Sequence, residues 1–395
     1  MHDVSSPIAE SFSIMRGGPF YRLLTQLGLT GSERHQVIRR APIGTSLCWF
    51  PLLILAAAQG LAAGTKVRIP FLLDYAVQAR FLVALPILIL AESVIEGKWR
   101  NIVIEFLRSG LVDRSDAVLY ESILRSIMKL RDQVLPELVM VVLAYLPPLF
   151  LGKTELLAKG TTSWHILSQT SSELSLAGWW FRLVSAPVFR FLLLRWIWRM
   201  CLWTLFIWRV SRMKLYLVAT HADLAAGLGF LSEGQEAYSS IVFAGGAVIA
   251  GSVLNAIRYQ GETLSSLKTP MIAYGVLALI LLVVPLLVVT PVLFGVKKKA
   301  LCEYSRLVTE HDQLFETKWI RDYPSQRANI LGNSDSSSLV ALGSSYTIIR
   351  KMGIVPIDKA SLKTLALAAA LPMLPVILLV TPVDEVIHAV LKMLG

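Results

Sequence analysis

Cysteine and histidine are scarce in this chain, at three and six residues among 395. Cys48, Cys201 and Cys302 stand far apart, and the first two lie in apolar stretches. Such spacing supports neither a disulfide framework nor a zinc site. Charge is scarce as well: 16% of residues are Asp, Glu, Lys or Arg, against 55% hydrophobic ones. Soluble globular domains carry about 25% charged residues, so that class is excluded. Also missing are a G-x-x-x-x-G-K-[ST] loop, an H-E-x-x-H helix and a G-x-S-x-G elbow. The chain therefore signals no nucleotide, zinc-protease or serine-hydrolase chemistry. On these grounds no catalytic residue, metal site or cofactor is assigned. No repeat of fixed period occurs, and no internal duplication of the kind carried by many secondary transporters.

What is present is apolar sequence in blocks about as long as a bilayer is thick, roughly twenty residues each, with a mean hydropathy of +0.61. The fold class is all-α: a polytopic helical membrane protein with six to seven transmembrane helices and a helical cytoplasmic layer. Spans are expected at 46–63, 75–95, 134–151, 187–210, 240–257, 270–294 and 362–380. Residues 1–45 are polar and show no short apolar region or cleavage site of a signal peptide. Within them, 20–29 reads either as an amphipathic surface helix or as a loosely ordered tail. The last dozen residues read as a short amphipathic helix.

The net charge of +11 points to the lipid bilayer rather than to nucleic acid, because basic residues collect on the cytoplasmic side of membrane proteins. Successive polar segments hold five Lys or Arg (1–45), two (64–78), seven (98–133), two (152–178), three (209–238), two (258–269) and eleven (296–363). The alternation makes the amino terminus cytoplasmic. The chain then divides into a cytoplasmic amino-terminal segment (1–45), a transmembrane hairpin (46–97) and a cytoplasmic helical insertion (98–133). There follow further spans with a cytoplasmic loop at 209–238 (134–295), a cytoplasmic helical segment (296–361), and a last span with its tail (362–395).

The stretch 179–213 is studded with Trp and Arg. As one helix it would be about 52 Å long at roughly 1.5 Å per residue, which exceeds the hydrocarbon core. Pro187 is the expected break, placing Arg195 and Arg199 near the middle of a span starting there. Arg195, Arg199 and Arg209 share one helical stripe, with Leu202 and Phe206 between them. Guanidinium groups at that depth must face a partner or water. Two readings follow: a positively lined path for a small anion, or buried pairing with a carboxylate, for which Glu92 is the best candidate. Arg80 is a second charge within an apolar segment. The interior tryptophans either pack or stack on arginine.

On the cytoplasmic side, THADLAAGLGFL (220–231) brings His221 and Asp223 close together, followed by Gly227 and Gly229. The pair could serve in acid–base chemistry or as half of a metal site. A structural turn, with Asp223 capping the next helix, is the other reading. In 240–257, Gly246 with Ala250 and Ala247 with Gly251 give the small-xxx-small spacing of close helix contacts. Leu301, Tyr304, Val308, Phe315 and Trp319 form an apolar stripe beyond Lys297, Lys298 and Lys299. That stripe must be covered, by 98–133 or by a neighbouring subunit. Residues 331–354 read as a polar turn leading into a helix.

Three stretches, THADLAAGLGFL, FETKWI (315–320) and LGNSDSSSLVALGSSYTIIRKM (331–352), resemble those of a family of uncharacterised bacterial polytopic integral membrane proteins. In that family the first stretch has the form His-Pro-Asp-x-x-Gly-Gly-Leu-Gly-Phe-Leu. The resemblance implies a multi-pass protein of the bacterial inner membrane, and it brings no established activity. Ala222 stands where the family has proline, and Ala226 where it has the first glycine. Both changes weaken any catalytic or phosphate-binding role for that loop.

Three functions are weighed. The first is an anion channel or transporter lined by arginines, with Arg195, Arg199, Arg209, Glu92 and Arg80 along the path. The second is a membrane-bound sensor or scaffold whose cytoplasmic layer binds a protein partner. The third is a membrane enzyme using His221 and Asp223. The small-residue spacing and the uncovered stripe also suggest a homo-oligomer.

Overall fold

The computed structural model describes residues 6–29, 34–150, 162–166, 173–263, 265–321 and 334–380. The expected tail helix and residues 331–333 of the polar turn lie outside them. The described residues fold as α1 (Pro7–Ser11), α2 (Pro19–Gln26), α3 (Arg34–Ala58), α4 (Tyr75–Arg108), α5 (Ala117–Arg131) and α6 (Val134–Phe150). The series continues with α7 (Leu176–Ser211), α8 (Leu231–Gln260), α9 (Lys268–Leu287), α10 (Thr290–Glu316), α11 (Ser334–Lys351) and α12 (Lys359–Leu379). Among the described residues there are no strands, only isolated bridges such as that between Ile69 and Ser163. Six helices (α3, α4, α7, α8, α9 and α12) are long and apolar enough to cross a membrane, and α6 adds a shorter apolar helix over Val134–Leu146.

Pro187 does not break the Trp/Arg segment. Helix α7 runs through it, and a π-helical turn, Phe181–Ser185, comes immediately before it. Helix α4 repeats the device, with a π turn at Ala79–Ala84 ahead of Pro86. Proline lacks an N–H and its ring collides with the carbonyl four residues earlier. A wider turn moves that carbonyl aside, so the helix continues. Hydropathy responds to side chains and is blind to this backbone adjustment.

Because α4 and α7 stay unbroken, they are about 51 and 54 Å long at roughly 1.5 Å per residue. Their carboxy-terminal halves pack with α5, and that of α7 also faces α9. Trp99 stacks on Trp203 there, centroids 4.5 Å apart and planes 2° from parallel. Phe106, Tyr120 and Phe206 are buried around them. The buried Tyr120 hydroxyl donates to the Val103 carbonyl at 2.7 Å.

The amino-terminal segment is not a loose tail. Phe12, Ile14 and Met15 are buried, and hydrogen bonds hold the chain ahead of α2. Arg131 Nη1 donates to the Ser13 carbonyl at 2.5 Å, and the Gly18 N–H to Asp132 Oδ1 at 2.9 Å. Helix α2 itself buries no residue.

Both features that suggested a homo-oligomer make contacts within the chain. A Cβ on Gly251 would stand 2.5 Å from the Tyr75 carbonyl oxygen, and one on Gly246 would meet Pro372 at 3.0 Å. The small-residue face of α8 is therefore spent on α4 and α12. The stripe on α10 packs against α11. The two helices run antiparallel: Lys297 Nζ donates to the Met352 carbonyl at the base, His311 Nε2 pairs with Ser338 Oγ, and Trp319 Nε1 donates to Asp335 at the far end. On α11, Leu339, Leu342, Tyr346 and Ile349 recur at three- and four-residue intervals toward α10, a coiled-coil seam.

At the opposite end of the bundle a second buried knot ties loops to helices. Asp74 caps the first turn of α4 and accepts from Trp164 Nε1 at 2.9 Å and Asn255 Nδ2 at 2.7 Å. His165 stacks on Trp164 at 3.7 Å. Burial is the main force pushing the His165 pKa down to about 4, with Arg80 adding to it and Asp74 opposing.

Candidate functional site

Where α3, α4, α6 and α7 meet, five charged side chains converge. Glu92 lies at the centre. Arg199 Nη1 donates to its Oε1 at 2.7 Å, Arg40 Nη1 to its Oε2 at 3.3 Å, and Arg195 Nη1 lies 3.9 Å away. Glu137, in the first turn of α6, is 4.0 Å from Arg195 Nε and accepts the Phe20 N–H at 2.6 Å. The Arg195 guanidinium sits 4.8 Å above the Phe20 ring, and that of Arg199 5.1 Å from Trp196. Arg195 and Arg199 are 5% and 2% exposed, Glu92 and Glu137 7% and 9%.

Three arginines thus face two carboxylates, and the cluster carries one excess positive charge. Arg40 Nε and Arg199 Nη2 are buried without a hydrogen-bond partner among the described residues. An unpaired buried N–H is costly, so the cluster keeps unused donor capacity for an anionic or carbonyl oxygen.

Depth follows from the unbroken helices. A span of roughly twenty residues counted from Leu176 ends at about Arg195, and one counted from Tyr75 ends at about Val94. Arg40 and Glu137 lie in the opening turns of the apolar stretches Val37–Ala58 and Val134–Leu146. The five charges therefore lie toward the same end of the bundle.

The other expected path residues lie elsewhere. Arg209 is a further three turns along α7, where Nη1 donates to Ser126 Oγ of α5 at 2.6 Å. Arg80 is near the opposite end of α4, 5.8–5.9 Å from the rings of Phe189 and Phe181. Two members of the cluster, Arg40 and Glu137, were absent from the sequence-based set. Arg40 falls ahead of the expected first span because an apolar window rejects the Arg39-Arg40 pair, although the helix starts at Arg34. Glu137 carried a usable signal, a carboxylate at the start of an apolar run.

The glycine-bearing loop is a tight turn built around Asp223. Its carboxylate accepts the N–H groups of Ala225 at 2.8 Å, Gly227 at 3.1 Å and Gly229 at 2.8 Å, and pairs with His221 Nδ1 at 2.9 Å. Burial alone would raise its pKa, but these bonds together bring it below the usual carboxylate value. It caps its own turn rather than the next helix, whose N-cap residue is Phe230. Leu224 and Ala226 both adopt left-handed backbone, with φ of 56° and 55°. The Leu224 carbonyl accepts the Gly353 N–H at 2.8 Å, tying the turn to the base of the α10–α11 hairpin. Among the described residues no group of His, Cys, Asp and Glu could hold a metal ion.

No family model, curated protein or solved structure matches the chain.

Proposed function

We propose that this integral membrane protein is a membrane-bound scaffold or sensor rather than a conduit, and that the α10–α11 hairpin is its protein-binding arm. The observation that carries this reading is the hairpin. Its inner seam is filled by the chain itself, yet Leu307, Leu314, Ile320 and Val340 stay 50–68% exposed on its outside. Large apolar side chains left exposed on such an arm offer a surface for a protein partner. The turn around Asp223 anchors the base of the arm, which gives His221 and Asp223 a positioning role. The mutual pairing of Arg195, Arg199, Glu92 and Glu137 supports a closed bundle. The positive-inside alternation puts the hairpin in the cytoplasm, and the family resemblance supports a bacterial inner membrane.

The test is substitution of Leu307, Leu314 and Val340 by Glu in the full chain, with photo-crosslinking from Ile320 in intact membranes. A discrete cross-linked protein that disappears in the triple variant is the expected result. Absence of any such product overturns the reading. Excess positive charge in the cluster favours the anion path as the second reading. Anion flux through proteoliposomes, abolished by Arg195→Ala with Arg199→Ala, would establish that path.

A further inference from the structure

Beside the charge cluster an apolar cavity of about 560 Å³ opens between α2, α3, α4, α6 and α7. Its walls are aliphatic and aromatic, among them Leu24, Leu47, Ile89, Val141, Val188 and Phe191. One end is charged: Arg40, Glu92 and Arg195 all line it. Leu23 and Leu27 of the α2 region and Leu47 and Val141 of the bundle are 42–63% exposed. The mouth is thus flanked by apolar side chains that only lipid or a lipid-like molecule can cover at this level of the bundle. Volumes of 300–1,000 Å³ with few polar groups are typical of small-ligand sites.

We infer that this cavity is a binding site for one anionic phospholipid, its acyl chain held between α2 and the bundle and its acidic headgroup beside Arg40. Three observations converge on that occupant. The cavity is amphipathic along its length, apolar over most of its wall and cationic at one end. The cluster has one more arginine than carboxylate, which selects an anion over a zwitterion. The Arg40 side chain is 10% exposed and its Nε has no hydrogen-bond partner among the described residues. Basic pockets between transmembrane helices at the inner interface are known to hold acidic headgroups, and the cluster stands at that level.

Helix α2 then acquires a purpose. It buries nothing in the bundle, yet its first turn is fixed through Phe20, by the Glu137 hydrogen bond and the Arg195 contact. It forms a wall whose apolar face an acyl chain would cover. This inference is independent of the scaffold reading and stands if the hairpin binds nothing.

The experiment is native mass spectrometry of the full chain released from vesicles of equal phosphatidylglycerol and phosphatidylcholine, beside thermal unfolding of delipidated protein with each lipid or with inorganic phosphate. The expected result is one retained phosphatidylglycerol per chain and a stabilisation that phosphatidylcholine and phosphate fail to reproduce. Leu47→Trp with Val141→Trp, which fills the mouth at half-exposed positions, should expel the lipid. Val139→Trp, 46% exposed and off the cavity wall, should retain it. Arg40→Gln should cut the preference for phosphatidylglycerol by roughly five-fold, the equivalent of about one basic contact. Equal retention of both lipids, or retention unchanged by the paired Trp substitutions, would overturn the assignment. Stabilisation by phosphate equal to that by lipid would overturn the acyl-chain part of it.

Discussion

Removing the Glu92 carboxylate should be among the most destabilising single changes in this protein. Glu92 is in contact with three guanidinium groups at 2.7, 3.3 and 3.9 Å. Unit charges 4 Å apart attract by roughly 4 kcal/mol at an effective dielectric constant of about 20, so the gross attraction exceeds about 10 kcal/mol. Desolvation of four buried ions offsets most of it. Deleting the carboxylate removes the attraction and leaves the desolvation cost, since Arg40, Arg195 and Arg199 would then face Glu137 alone. Glu92→Ala should therefore cost about 3–5 kcal/mol, the range for breaking a buried pair from one side. Arg199→Met should cost less, because two arginines remain to balance two carboxylates. The double variant should be more stable than the sum of the single losses by about 1–3 kcal/mol. Equilibrium unfolding in mixed micelles, followed by tryptophan fluorescence, measures all three. A loss below about 1 kcal/mol for Glu92→Ala, as for a solvent-exposed pair, would refute the account. So would strict additivity in the double variant.

Two further expectations concern the ends of the bundle. Ala226 holds a left-handed φ of 55° with its side chain fully buried, so Ala226→Gly should stabilise by about 1 kcal/mol, read as a higher midpoint in the same unfolding assay. Gly229→Ala should do the reverse, since its Cβ would stand 2.9 Å from the Asp223 carboxylate. His165 has a folded pKa lowered to about 4 from an ordinary 6.5, so the unfolded chain binds the extra proton first. Its contribution is complete above about pH 6.5 and is lost progressively as pH falls toward 4. Stability should thus drop across that window, and His165→Phe, which preserves stacking on Trp164, should flatten the slope. An unchanged slope would show that the imidazole stays solvated.

Much of this molecule was legible in the chain because a bilayer imposes strong, local rules. The apolar blocks announced the helical membrane class, since an unpaired backbone has no place in hydrocarbon. The stripe of Arg195, Arg199 and Arg209, with Leu202 and Phe206 between them, was readable from helical periodicity alone, and all but the half-buried Arg209 are buried. The choice of Glu92 as partner followed from the cost of an isolated charge in a span. Likewise the apolar stripe on 301–319 had to be covered by something.

Tertiary structure alone decided which groups answer those demands. Arg40, Glu92, Glu137 and Arg199 are far apart in sequence and meet because α3, α4, α6 and α7 pack together at one end of the bundle, a relation no local pattern encodes. The continuity of α4 and α7 turned on two π turns that let them pass their prolines, a matter of backbone hydrogen bonding that composition does not register. Covering of the α10 stripe by α11 was equally a matter of chain path, because an apolar face specifies a need for burial and not the identity of its partner. Periodicity and hydropathy act over a few helical turns, whereas pairing, depth and the cavity beside α2 are properties of how whole helices cross.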